Sequence, residues 1–117
     1  MTTVIYKIVP AALWAEAVAC GAFAGSPVDV RDGFIHFSTG AQAAETAARH
    51  FAGVDGLVLV AVPVAPLGDA LRWEPSRGGA LFPHLYGPLP TECVSWVRPL
   101  PLVDGRHVFP RLGQEQA

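Results

Sequence analysis

Two periods of apolar and polar positions alternate along this chain, and each change of period marks an element. Val4-Ile5-Tyr6-Lys7-Ile8-Val9 is β-branched and aromatic, which predicts a strand. Pro10 follows at a position suited to the first turn of a helix, where its missing N–H costs nothing. Leu13, Trp14, Ala17 and Val18 then share one helical face, and Gly21 supplies the stop. The next segment, Ala22 to Asp32, holds Gly25, Pro27, Asp29 and Asp32 and reads as a long loop, of a length that is often functional in small domains.

Gly33-Phe34-Ile35-His36-Phe37-Ser38 predicts a second strand, whose period of two sets Phe34, His36 and Ser38 on one face and Ile35 and Phe37 on the other. Thr39 and Gln42 form a capping box for a helix over Gly40 to Phe51, ended by the Gly53-Val54-Asp55-Gly56 turn. Leu57 to Pro63 is nearly all apolar, as a strand buried on both faces is. Pro66-Leu67-Gly68-Asp69 reads as a turn, Leu71-Arg72-Trp73-Glu74 as a short strand and Ser76 to Thr91, rich in Gly and Pro, as an ordered loop. Cys93 to Arg98 alternates as a strand, and Val103-Asp104-Gly105-Arg106 carries the Asp-Gly signature of a tight hairpin. Strand, helix, strand, helix and then strands alone predict an α+β fold with a largely antiparallel sheet, two helices in the N-terminal half and at least five strands. A single domain over residues 1–111 is expected, with 112–117 as a frayed tail.

Composition narrows the function classes. The chain has 117 residues, 51% of them apolar and 15% charged, enough for one packed core and too apolar for a disordered tail. Eight basic against ten acidic residues give a net charge of −2, which offers no footprint for long nucleic acid or anionic lipid. A small phosphorylated ligand held by one or two arginines fits that balance. The longest charge-free apolar stretch, Leu57 to Leu67, is about half a membrane span and contains Pro63 and Pro66, so no membrane partner is expected. Cys20 and Cys93 form no Cys-x-x-Cys pair and no disulfide framework. With no signal peptide at the start, they point to a reduced, cytoplasmic protein in which both are buried, inert thiols. Trp14, Trp73 and Trp96 read as core packing. His36, His50, His84 and His107 lack zinc-ligand spacing, so no metal is expected, and no nucleophile elbow or Walker loop is present.

Three clusters carry candidate chemistry. His36 and Ser38 point from one strand face into a shared cleft, or His36 is a half-buried histidine bonded to a neighbouring backbone group. Glu74-Pro75-Ser76-Arg77-Gly78-Gly79 delivers a carboxylate, then turns through a hydroxyl, a guanidinium and two glycines, a composition suited to an anion-binding nest with an Arg fork. The plain alternative is a surface turn in which Glu74 pairs with Arg77. Phe82-Pro83-His84-Leu85-Tyr86-Gly87-Pro88 makes a rigid aromatic wall for a planar ligand or a plug at one end of the core.

Ile5-Tyr6-Lys7, Asp32-Gly33-Phe34-Ile35-His36-Phe37-Ser38, Trp73-Glu74-Pro75-Ser76-Arg77-Gly78-Gly79 and Phe82-Pro83-His84-Leu85-Tyr86-Gly87, in that order, resemble the bacterial domain-of-unknown-function family 952 over about Tyr6 to Phe109. The resemblance implies an ADP-ribosyltransferase-like fold, a split α+β sheet shared with RNA 2′-phosphotransferases, with a nicotinamide dinucleotide in its central cleft. It makes NAD a candidate substrate. It also implies that His36 contacts a ribose hydroxyl, that Ser38 orients the ligand, that Tyr86 stacks on the nicotinamide and that Glu74 stabilises the oxocarbenium-like transition state. The Gln/Glu-x-Glu motif of arginine-modifying toxins is absent, since Glu92-Cys93-Val94 has a single carboxylate.

Two functions follow from these residues. In the first, an enzyme uses His36 and Glu74 as catalytic residues, with Ser38, Ser76, Arg77, Gly78, Gly79, His84 and Tyr86 binding NAD or a phosphorylated nucleotide. In the second, the same cleft holds a nucleotide or phosphometabolite without turnover.

Overall fold

A computed structural model describes residues 3–112, with Arg77 described in its backbone alone. Its elements run β1 (Val4–Pro10), α1 (Ala11–Cys20), β2 (Ala22–Phe23), α2 (Pro27–Asp32), β3 (Ile35–His36), α3 (Ala43–His50), β4 (Leu57–Pro63), β5 (Leu71–Ser76), β6 (Ala80–Leu85), β7 (Leu89–Pro90), β8 (Trp96–Leu100), β9 (Leu102–Val103) and β10 (Arg106–His107). Strand pairing among the described residues is antiparallel throughout, so the α+β reading holds.

Beside the two-stranded pairs β2-β7 and β9-β10, the architecture among the described residues is built on two three-stranded sheets, ordered β1-β4-β8 and β3-β6-β5. A single bridge joins them, in which Tyr6 and Ser38 exchange both backbone hydrogen bonds at 2.8 and 2.9 Å. The sheet is therefore split, and beyond Ser38 the free edge of β1 faces the opening. Alternation decides which side chains go to which face of the first sheet. Ile5 and Val9 of β1 and Val60 and Val62 of β4 join Trp14, Phe23 and Leu85 on one face. Tyr6, Ile8, Leu59 and Ala61 join Ala47 of α3 and Leu100 of β8 on the other. The apolar run of β4 is thus buried on both faces, as its composition predicts.

Local signals explain the ends of several elements. Thr39 donates its N–H to Gln42 Oε1 while Gln42 donates its own to Thr39 Oγ1, the reciprocal pair expected from the sequence. The β9–β10 hairpin turns through Asp104 and Gly105, both at positive φ, which is the twist that a two-residue hairpin needs.

Other expectations need correction. The described residues hold three α-helices rather than two, because Pro27–Asp32 folds as α2 inside the segment read as a loop. The Ser76 to Thr91 loop contains β6, the central strand of the second sheet, and β7. Pro83 is tolerated there because its carbonyl accepts from Phe37 N–H, so its nitrogen faces the side on which β3 has already ended. Only Ile35 and His36 of the second predicted strand lie in a ladder. Cys93 sits in a 3-10 turn before β8, and Cys20 is exposed rather than buried. Val18 and Trp73 are also exposed, so neither packs in the core. Of the tail, Leu112 packs on the face of the first sheet that holds Tyr6, Ile8 and Leu100, and 113–117 lie outside the described residues. No helix among the described residues is long and apolar enough to cross a membrane.

Candidate functional site

A cavity of about 450 Å³ lies where the two sheets part. Lys7 and Ile8 of β1, the start of α2, His36, Ser38, Thr46 of α3, Ser76 at the end of β5, and Phe82 and His84 of β6 line it. A volume of this order suits a small ligand. Because β6 pairs with both β3 and β5, His84 stands directly across from His36 on one side and Arg72 on the other. The two imidazole centroids are 5.5 Å apart.

Each histidine is fixed by a carboxylate. Asp29 of α2 is 1% exposed and sits behind His36. The chain folds it there through Ser26, whose N–H donates to Asp29 Oδ2 at 2.8 Å, with Pro27 opening the helix. Asp29 Oδ1 then takes His36 Nδ1 at 2.6 Å and His36 N–H at 3.2 Å. Lys7, 6% exposed in the middle of β1, closes on both oxygens at 3.1 and 2.9 Å. On its other side, His36 Nε2 lies 3.1 Å from Asp32 Oδ2. His84 is 5% exposed and its Nδ1 is 2.7 Å from Glu74 Oε1, the oxygen that also accepts from Tyr86 Oη at 2.7 Å. Phe34 ties the two groups together, stacked on His84 at 4.1 Å and tilted against His36 at 4.6 Å and Tyr86 at 5.2 Å. Arg72 covers the outer face of Tyr86 at 5.1 Å.

The electrostatics follow this geometry. Burial pushes the Asp29 pKa up, but the His36 hydrogen bond, the Lys7 charge and the Ser26 N–H outweigh it and hold the group at about 2. Burial pulls the Lys7 ammonium below its usual range, against the opposing pull of Asp29. Glu74 is held below the ordinary carboxylate range by the His84 and then the Tyr86 hydrogen bonds, and Tyr86 is raised by the same contact with Glu74. The Arg31 side chain, followed by other contacts including His36, lowers Asp32.

Between an unfolded value of 3.8 and a folded value of about 2, the unfolded state binds more protons at Asp29 than the folded state does. Stability should therefore be intact above about pH 4 and fall through that window, by roughly 2–3 kcal/mol in all at about 1.4 kcal/mol per pKa unit. Urea unfolding between pH 5 and 2 reads this loss, and an Asp29→Asn variant should lack it.

The placement of the expected site residues is uneven. His36, Ser38, Ser76 and His84 border one cavity, although about forty residues separate the two segments. Glu74 and Tyr86 stand behind His84 and are not part of that lining. Ser38 Oγ is bonded to Thr46 Oγ1 at 2.8 Å, which anchors α3 to the cavity wall. Gly78 and Gly79 form the tight connection of β5 to β6, both at positive φ. The side chain of Arg77 lies outside the described residues, so the expected Glu74–Arg77 pair does too; Glu74 spends its Oε1 on His84 and Tyr86. Lys7 and Asp29 are the partners that sequence reasoning missed. The available signal was a lone lysine inside an apolar strand and an aspartate three residues after the serine of a Ser-Pro pair. Among the described residues, no group of three or more His, Cys, Asp or Glu side chains is arranged to hold a metal ion.

Residues 8–97 match the family described as "Protein of unknown function (DUF952)". No curated protein matches the chain. The crystal structure of protein CC0527 from Caulobacter crescentus is similar to it at 54% sequence identity, covering 91% of this chain and 94% of that one, with a TM-score of 0.88. The solution structure of the same protein is similar at 53% identity, covering 89% and 90%, with a TM-score of 0.80.

Proposed function

We propose that this chain, which belongs to the DUF952 family, is a transferase of the ADP-ribosyltransferase type acting on NAD or a phosphorylated nucleotide in the cleft between its two sheets. The observation that carries the reading is the meeting of two carboxylate-held histidines, His36 and His84, with Ser38 and Ser76 on one cavity of about 450 Å³. Asp29 fixes the His36 ring, whose Nε2 meets a ribose hydroxyl when the ligand displaces the partly exposed Asp32, and Ser38 lines the wall beside it. The Ser76-Arg77-Gly78-Gly79 turn receives phosphate at the other end, where Ser76 lines the cavity. The split α+β sheet is the architecture that such transferases use. The direct test is incubation with NAD and measurement of free nicotinamide, with calorimetric titration of NAD, ADP-ribose and a 2′-phosphorylated nucleotide alongside. The transferase reading is wrong if no nicotinamide appears, and the cleft is no nucleotide site at all if none of the three binds either.

The phosphate contact gives a second measurement. Arg77→Ala should weaken whichever phosphorylated ligand binds by ten- to a hundred-fold, the loss of a charge-assisted hydrogen bond of about 1.5–3 kcal/mol. Arg77→Lys keeps the charge without the planar fork and should recover only part of it. Unchanged affinity in Arg77→Ala removes the clamp. A binding module without turnover is the second reading, and the surroundings of His36 favour it. Both of its ring nitrogens face carboxylates, which leaves it no free nitrogen with which to move a proton. Binding without nicotinamide release identifies this case.

A further inference from the structure

We propose that His84 is the proton-transfer residue of the cleft and that Glu74 acts through it as a positioning residue. The acceptor in the reaction is then a hydroxyl-bearing group or water; this role rests on the transferase reading above. Glu74 presents one oxygen, Oε1, to both His84 Nδ1 and Tyr86 Oη at 2.7 Å. Those two hydrogen bonds hold its carboxyl low and ionised, so it only accepts, and His84 Nδ1 must carry the proton. In the neutral ring the lone pair is then on Nε2. Among the described residues, no protein group bonds Nε2, and the enclosed unpartnered side-chain atoms are Tyr6 Oη and Trp96 Nε1. His84 Nε2 is unpartnered yet not enclosed, and the ring lines the cavity, so Nε2 opens into it. Phe34, stacked on the ring at 4.1 Å, sets its plane. His36 differs in that a carboxylate oxygen stands on each of its nitrogens.

The step balances without a further reagent. The acceptor O–H bond breaks and its proton passes to His84 Nε2. The acceptor oxygen forms a bond to the anomeric carbon of the ribose. The bond from that carbon to the nicotinamide nitrogen breaks, and its electron pair leaves with the ring as neutral nicotinamide. The imidazolium then returns its proton to solvent. Glu74 stabilises the imidazolium as it forms but does not touch the anomeric carbon.

His84→Asn tests the role because an Asn side chain can still donate to Glu74 and preserve the fold, which an unchanged thermal midpoint verifies. It should lower kcat for nicotinamide release by about 10²–10⁴-fold with little change in KM. Glu74→Gln should lower kcat by about 10–100-fold, again with KM held. Long-range ¹H–¹⁵N spectra recorded above the ordinary histidine range should show His84 as the Nδ1–H tautomer in wild type and a mixture in Glu74→Gln. Full rate in His84→Asn, or an Nε2–H tautomer in wild type, overturns the proposal. Should wild type release no nicotinamide, the transferase reading falls and carbethoxylation mapped by mass spectrometry decides His84 separately. Faster labelling of His84 than of His36, slowed in Glu74→Gln, upholds the reactive Nε2, and equal labelling of the two overturns it.

Discussion

Asp29→Asn should unfold with about 3–5 kcal/mol less free energy than the native protein, the range for removing one partner of a buried ion pair. The carboxylate receives Lys7 Nζ, His36 Nδ1, His36 N–H and Ser26 N–H, and it is 1% exposed. Neutralising it leaves the Lys7 ammonium, 6% exposed in the middle of β1, with no counter-charge. The loss comes from that stranded cation more than from the pair's own attraction, and a second substitution separates the two. Lys7→Met in the Asp29→Asn background removes the cation and fills the same strand position with an apolar side chain, so it should recover most of the stability. The fall in the single variant should also reach the site, because His36 loses the acceptor that fixes its ring. Urea midpoints of the two single variants and the double variant measure the cycle. A loss below about 1 kcal/mol in Asp29→Asn would put this pair with surface ion pairs and remove Asp29 as the anchor of His36.

The strongest regular patterns were legible in the chain. β1, α1 with its Gly21 stop, the Thr39–Gln42 pair, β4 and the β9–β10 hairpin all follow from period, capping and turn chemistry. What escaped was written in residues with two meanings. Ser26, Pro27 and Gly33 bracket a two-turn helix, but the same types also make loops, and six residues are too few to show a helical period. β6 was hidden by Pro83, whose missing donor rules out a central strand unless its nitrogen faces past the end of a neighbour, and that is a fact of register. The exposed Val18, Trp73 and Cys20 show the converse, that period assigns a face without saying whether anything covers it. In the site, the shared face of His36 and Ser38 was readable because a period of two is local. The Lys7–Asp29 pair was not, since it joins two segments 22 residues apart. A lysine in an apolar run also reads first as an interruption.

Gly25→Ala should cost about 2–5 kcal/mol, and the route of that loss leads to the site. Gly25 has a φ of +117°, a region that L residues rarely adopt, so a side chain brings backbone strain of about 1–2 kcal/mol whatever the space around it. The space is also taken. A Cβ at this position would lie 2.8 Å from Asp29 Cβ, with Oδ2 at 3.5 Å and Cγ at 3.7 Å. Asp29 cannot withdraw from that contact, because Lys7, His36 and the Ser26 N–H hold its carboxylate, and overpacking at a fixed neighbour costs about a further 1–3 kcal/mol. Relief by moving the backbone of α2 would lengthen the His36 Nδ1 contact and loosen the imidazole. Gly21→Ala is the control, since a Cβ there meets nothing within 4 Å and only the positive-φ strain applies. Thermal unfolding of the two variants should therefore separate them by the overpacking cost. The His36 side-chain resonances should shift in Gly25→Ala and stay in place in Gly21→Ala. Equal losses in both variants would mean that Asp29 yields freely to the added carbon, and the rigid carboxylate anchor would have to be abandoned.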